Sequence, residues 1–173
     1  MQKSGYWFTF GEIENAMFRA FYVDKGAILP TVLRGRINAL QRGGLVPAKT
    51  GSGNAVRYSL TDAYELALGL ELANLGCPPK IILRNVKPGR LETFLREMDK
   101  LPDTMDRLLW IFHPSALCEE GAPPQSFPPV WKSRIEASQI PFSFIAVDVT
   151  DIRNKIDAAL DATMSRSVSR GAA

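Results

Sequence analysis

The sequence predicts an α+β protein in two parts. A winged helix-turn-helix domain is expected over residues 1–90. A small α+β region over 91–164 and a disordered tail over 165–173 follow it. Three observations carry this reading. A basic helix at Leu29–Arg42 runs into Gly43-Gly44-Leu45-Val46, and a glycine-rich segment then returns as Val56-Arg57-Tyr58-Ser59-Leu60. Farther on, Leu108–Phe112 and Phe142–Val149 are apolar, aromatic and β-branched runs of strand length. Charge is also uneven. Residues 1–90 hold twelve Lys or Arg against six Asp or Glu, while residues 91–173 hold nine against twelve. A basic first part and an acidic second part imply surfaces with different jobs.

The elements follow in order. Tyr6-Trp7-Phe8-Thr9-Phe10 is a short aromatic strand or a lead-in to the first helix. Thr9 with Glu12 forms a capping box, so a helix is expected over 11–22 with Ile13, Met17, Ala20 and Phe21 inward. Asp24-Lys25-Gly26 ends it. Pro30 suits the first turn of the second helix, because its missing donor is not needed there. Val32 or Leu33, with Ile37 and Leu40, is expected to turn inward on that helix, and Gly35 is locally unfavourable at its centre. Close approach to another helix or to a phosphate backbone would give Gly35 a reason. Gly43-Gly44 closes the helix. Thr61 is expected to cap a third helix over 62–75, which is apolar on more than one face and therefore central to the core or in contact with a second subunit. Pro79 opens a short helix through Val86. Leu91–Leu101 is amphipathic. Glu119–Pro129 reads as an exposed loop. Thr150 is expected to cap a last helix over 151–164, striped by Ile152, Ile156, Ala159 and Leu160. The tail from Ser165 lacks a core-forming pattern.

Composition narrows the chemistry. With one histidine, His113, and two cysteines, Cys77 and Cys118, outside any CxxC pair, there is no zinc-ligand set. No serine–histidine–aspartate arrangement is recoverable, and the adjacent Glu119 and Glu120 make no convincing acid/base pair. Asp148 and Asp151 read as turn or cap residues before metal ligands. Trp110, Phe112, Phe127 and Trp131 read as core aromatics before the lining of a ligand pocket. No enzyme, cofactor or metal is expected. No signal peptide or membrane-length apolar run is visible, so a cytoplasmic protein, bacterial or phage-encoded, is expected.

The remaining signal points to double-stranded DNA. A major groove admits one helix and is read by side chains of defined geometry. A helix turns about 100° per residue. Thr31, Arg34, Asn38 and Gln41 therefore share roughly one edge and are the expected base-reading residues. Arg36 and Arg42 are expected to meet phosphate. The wing, residues 48–57, is expected to place Lys49, Ser52, Asn54 and Arg57 on the backbone or in the minor groove. Such contacts position a protein and make its affinity depend on salt.

Two stretches resemble MerR-type winged-helix regulators. RINALQRGGLVP (Arg36–Pro47) is similar to the end of that family's recognition helix, where a Gly-Leu pair leads into the wing. RYSLTDAYELALGLELANLGCPPKII (Arg57–Ile82) is similar to the segment after the wing, with an Arg-Tyr, a cap, a helix ending in Leu-Gly and a further helix. The resemblance covers about residues 10–87. The chain departs from it at Leu33, Gly35 and Ile37, where the family often has an aromatic pair, and it shows no long linking coiled coil. The resemblance implies a homodimer on an inverted repeat. Tyr64, Leu68, Leu72, Leu75, Ile152 and Ile156 are the candidate dimer-interface residues. The expectation is a sequence-specific transcriptional regulator. The alternatives are a non-regulatory DNA-binding protein, such as a phage packaging, nucleoid or plasmid factor, and a winged-helix protein-interaction module.

Overall fold

In the computed structural model, residues 7–22, 29–47, 56–86, 91, 107–112, 130–132 and 145–170 are described. They form five helices: α1 (Phe10–Phe21), α2 (Pro30–Arg42), α3 (Leu60–Asn74), α4 (Pro79–Asn85) and α5 (Val149–Arg170). Three short strands, β1 (Leu108–Phe112), β2 (Val130–Trp131) and β3 (Ile145–Asp148), make one antiparallel sheet in the order β2-β1-β3. β1 pairs Leu109 with Asp148 and Phe112 with Ile145, and Leu108 with Trp131 on its other side.

The helix starts are chemically defined. At α1 the Thr9 hydroxyl accepts from the Glu12 N–H, while the Glu12 carboxylate accepts from the Thr9 N–H at 2.7 Å. The start of α3 repeats this arrangement with Ser59 and Asp62. The cap is thus Ser59 and not Thr61, because Asp62 is placed to close the reciprocal pair with Ser59. Between these two caps, Phe8 and Tyr58 exchange backbone hydrogen bonds of 2.8 and 2.9 Å. The aromatic lead-in is therefore bridged to the segment that returns before α3.

The helix ends of α2 and α3 also match each other. Gly44 and Gly76 adopt φ of +85° and +88°. Leu45 N–H donates to Leu40 O and Cys77 N–H to Leu72 O, the long bond of a Schellman closure. Glycine is required because a Cβ is strained at that φ. Gly43-Gly44-Leu45-Val46, into which the basic helix runs, is this turn, with Gly43-Gly44 closing the helix. Among the described residues, the returning segment forms one bridge, to Phe8, and no hairpin with Val46.

α3 lies at the centre. Tyr64, Leu66, Leu68, Leu70 and Leu72 are all buried. Gly69 lets α2 and α4 approach closely, since a Cβ there would stand 2.8 Å from Leu45 and 3.1 Å from Leu40. α5 packs along α1 and against α3 and β1. Ile152, Ile156 and Leu160 join the same cluster as Ile13, Met17, Leu66, Trp110 and Val147. The core thus runs through both of the expected domains. Tyr64, Leu68, Leu72, Ile152 and Ile156, expected at a dimer interface, are core residues of one chain, and of that set only Leu75 is exposed. The dense apolar pattern of α3 serves a central helix.

α5 differs from its expected bounds at both ends. Asp148 accepts from the Asp151 N–H at 2.9 Å and caps the helix, while Thr150 lies inside it and accepts from the Leu108 N–H at 2.8 Å. The helix continues to Arg170, where a disordered tail was expected. Ser165–Arg170 contains no Gly or Pro to stop it, and Gly171 follows. The expected helix over 91–101 lies outside the described residues except for Leu91, which is buried. The expected loop over 119–129 also lies outside them. No helix among the described residues is long and apolar enough to cross a membrane.

Candidate nucleic-acid interface

α2 is anchored by a narrow stripe. Leu33, Ile37 and Leu40 are fully buried, and Gln41 is only 7% exposed. Thr31, Gly35, Asn38 and Arg42 stand on the opposite side, all exposed. Val32 is 46% exposed beside them. A Cβ built on Gly35 meets no atom of the described residues within 4 Å. The helix centre is therefore bare backbone, and among the described residues no helix approaches it. Pro30 occupies the first position, no acidic residue stands in the first turn, and Arg42 stands in the last.

The four expected base-reading residues divide. Thr31 and Asn38 lie on the open face. Arg34 lies at its margin, where its Nε and Nη2 donate to the two Glu14 oxygens at 2.6 and 2.7 Å. Those hydrogen bonds, then the charge of Glu14, push the Arg34 pKa up from its already high value, so the fork is fully charged and bound to α1. Gln41 is a correction. Its side chain turns inward, donating to the Tyr58 hydroxyl and, at 3.4 Å, to the Pro47 carbonyl. Burial raises the Tyr58 pKa, with the Gln41 hydrogen bond opposing the rise and Asp62 adding to it. Gln41 thus ties together the residues that flank segment 48–55 and does not face a groove.

The expected backbone contacts divide as well. Arg36 leaves the open face on the side away from Arg34 and donates to Asn74 Oδ1 at 2.8 Å. Tyr22 donates to the same oxygen at 2.9 Å, so Asn74 joins α1, α2 and the end of α3. Arg42 stays exposed, its Nε donating to the Asn38 carbonyl. Arg57 is exposed just before the Phe8–Tyr58 bridge. Lys49, Ser52 and Asn54 lie outside the described residues.

Sequence reasoning passed over Glu14 and Asn74. Glu14 and Asn74 act through pairings 20 and 38 residues apart in the chain, which no local pattern signals. Val32, the alternative to Leu33 as an inward residue, is instead exposed, since it falls off the stripe of Leu33, Ile37 and Leu40 at helical spacing.

Of the aromatics read as core, Trp110 is buried in the core. Phe127 lies outside the described residues. A groove of about 350 Å³ opens elsewhere, between the ends of α1 and α3 and the β3–α5 junction, with Arg19, Tyr22, Glu71, Asp148 and Lys155 among its walls. Asp148 pairs with Arg107 and Asp151 with Lys155, so these carboxylates serve caps and ion pairs. Among the described residues, no group of three or more His, Cys, Asp or Glu stands together. Cys77 is buried. No family model matches the chain, and no curated protein matches it either.

Proposed function

We propose that this protein is a sequence-specific regulator that binds double-stranded DNA by laying α2 in the major groove. One observation carries the reading: the outward face of α2, where Thr31, Asn38 and Arg42 surround a bare Gly35 that none of the described residues approaches. A helix held by three buried aliphatic residues and open on the other side can enter a groove without unpacking the core. The helix carries three arginines and no acidic side chain, which suits a polyanion. α1 braces it through Arg34 and Glu14, and Asn74 braces it through Arg36. The likeness of Arg36–Pro47 and Arg57–Ile82 to MerR-type segments supports the same reading.

The test is in vitro selection of DNA fragments by the purified protein at two salt concentrations. A recurrent motif that persists at the higher salt is expected. Motif-free binding erased by salt identifies a DNA-coating protein instead. Absence of binding at both salts overturns the proposal and leaves α2 as a protein-docking helix.

A further inference from the structure

We infer that the outward face of α2 reads A·T base pairs, through thymine methyl groups and an adenine edge, and does not read guanine through Arg34. The inference rests on the DNA reading proposed above.

The open face has two edges. Val32 and Ala39, seven residues apart, form one, and their side chains offer only methyl groups. Thr31 and Asn38, also seven apart, form the other, and both are exposed. Gly35 and Arg42 lie between the edges. In the major groove an A·T pair shows the thymine methyl and O4 with the adenine N7 and N6 amine. Methyl groups from Val32, Ala39 and the Thr31 γ-carbon match the first feature. The Asn38 amide, one acceptor and one donor group, matches the adenine N6 and N7. With no Cβ at Gly35, the backbone between the edges can come close enough for such short side chains to reach.

Guanine presents two acceptors, which call for a guanidinium fork. The arginines of α2 are placed otherwise. Arg34 spends two donors on Glu14, and Arg36 donates to Asn74, on opposite margins of the face. Arg42 stands at the C-terminal end with its Nε on the Asn38 carbonyl, where a phosphate is the nearer target. The occupant is DNA and not an apolar protein surface, because the methyl edge is narrow and is set in a helix whose charges are all positive.

The 173-residue protein is titrated into its selected duplex, and into the same duplex with the motif thymines replaced by uracil, at one salt concentration. Loss of the 5-methyl is expected to weaken binding about fourfold per contacted base, the worth of one buried methyl group. Val32→Ala is expected to shrink that difference. Asn38→Ala is expected to weaken binding at least about fivefold and to stop discriminating adenine from 7-deazaadenine. Both side chains are exposed, so circular dichroism should show an unchanged fold. Equal affinity for the thymine and uracil duplexes overturns the inference and leaves the DNA reading standing. So does a G·C motif whose selection is lost in Arg34→Ala. Absence of binding to any duplex at low salt overturns both. The thymine-to-uracil comparison needs no variant, so a poorly folded substitution cannot shelter the inference.

Discussion

A glycine inside a helix costs about 1 kcal/mol relative to alanine. Gly69 and Gly35 offset that cost differently. At Gly69 the return is packing, because Leu45 and Leu40 occupy the space a Cβ would need. At Gly35 no neighbour among the described residues supplies a return. Gly35→Ala is therefore expected to raise the unfolding free energy by about 1 kcal/mol in denaturant titrations. The same variant should weaken DNA binding. A stabilised variant of unchanged affinity would remove Gly35 from the proposed groove contact. Tyr64 makes a prediction of another kind. Its hydroxyl donates to Asp157 at 2.7 Å. Burial, then that bond and the Asp157 charge, push its pKa well above the usual tyrosine value of 10.0. The unfolded chain then loses this proton first. The corresponding stability is fully present below about pH 10 and drains away as pH rises past it. Tyr64→Phe should lose about 1–3 kcal/mol at neutral pH, with the hydrogen bond to a charged acceptor. Its alkaline decline should also be shallower than the parent's. An identical alkaline slope in urea melts between pH 8 and 11 would count against this assignment.

At the scale of elements, the caps decide where helices begin. Ser59→Ala is expected to cost about 1 kcal/mol and Thr61→Ala much less, measured as shifts in the urea midpoint at constant slope. Equal costs would return the cap to Thr61. This pair also shows what the sequence could disclose. The stripe of Leu33, Ile37 and Leu40, the capping box at Thr9 and the strand at Leu108–Phe112 were legible, because each is a local pattern of period or spacing. The cap of α3 was harder to read, since Asp62 is shorter than the glutamate that usually closes a capping box. The role of Gln41 was not legible at all. Its position on the helix differs little from that of Arg34, and only the arrival of Tyr58, 17 residues on, turns its amide inward. The tail misled for a related reason. Lack of an apolar pattern shows that a segment adds nothing to a core, yet a helix already begun at Val149 can propagate without one, one residue at a time.

The molecule as a whole was the least legible level. Charge asymmetry suggested two domains, but charge describes surfaces, and the core ignores the division. α5 brings Ile152, Ile156 and Leu160 onto the cluster that contains Ile13, Met17 and Leu66. The bond from Tyr64 to Asp157 spans 93 residues and joins the two parts again. The faces of α1 and α3 that α5 covers would be open in a fragment ending near residue 90. Such a fragment is expected to lose cooperative helical structure, although it retains every residue of the proposed DNA-reading face. In the intact chain, buried Trp110 fluorescence and helical circular dichroism should report one coincident transition. Ile156→Ala, a truncation at a fully buried site, should lower both midpoints together and cost about 2–5 kcal/mol. Two separated transitions, or a residues 1–90 fragment that melts cooperatively, would restore the independent domains that the charge pattern suggested. If the single transition is found, α5 belongs to the support of the α2 face as much as α1 does. Substitutions under α5, far from any DNA, would then weaken DNA binding only as far as they depopulate the folded state. That dependence should vanish when affinity is corrected for the folded fraction, whereas the loss in Asn38→Ala should remain.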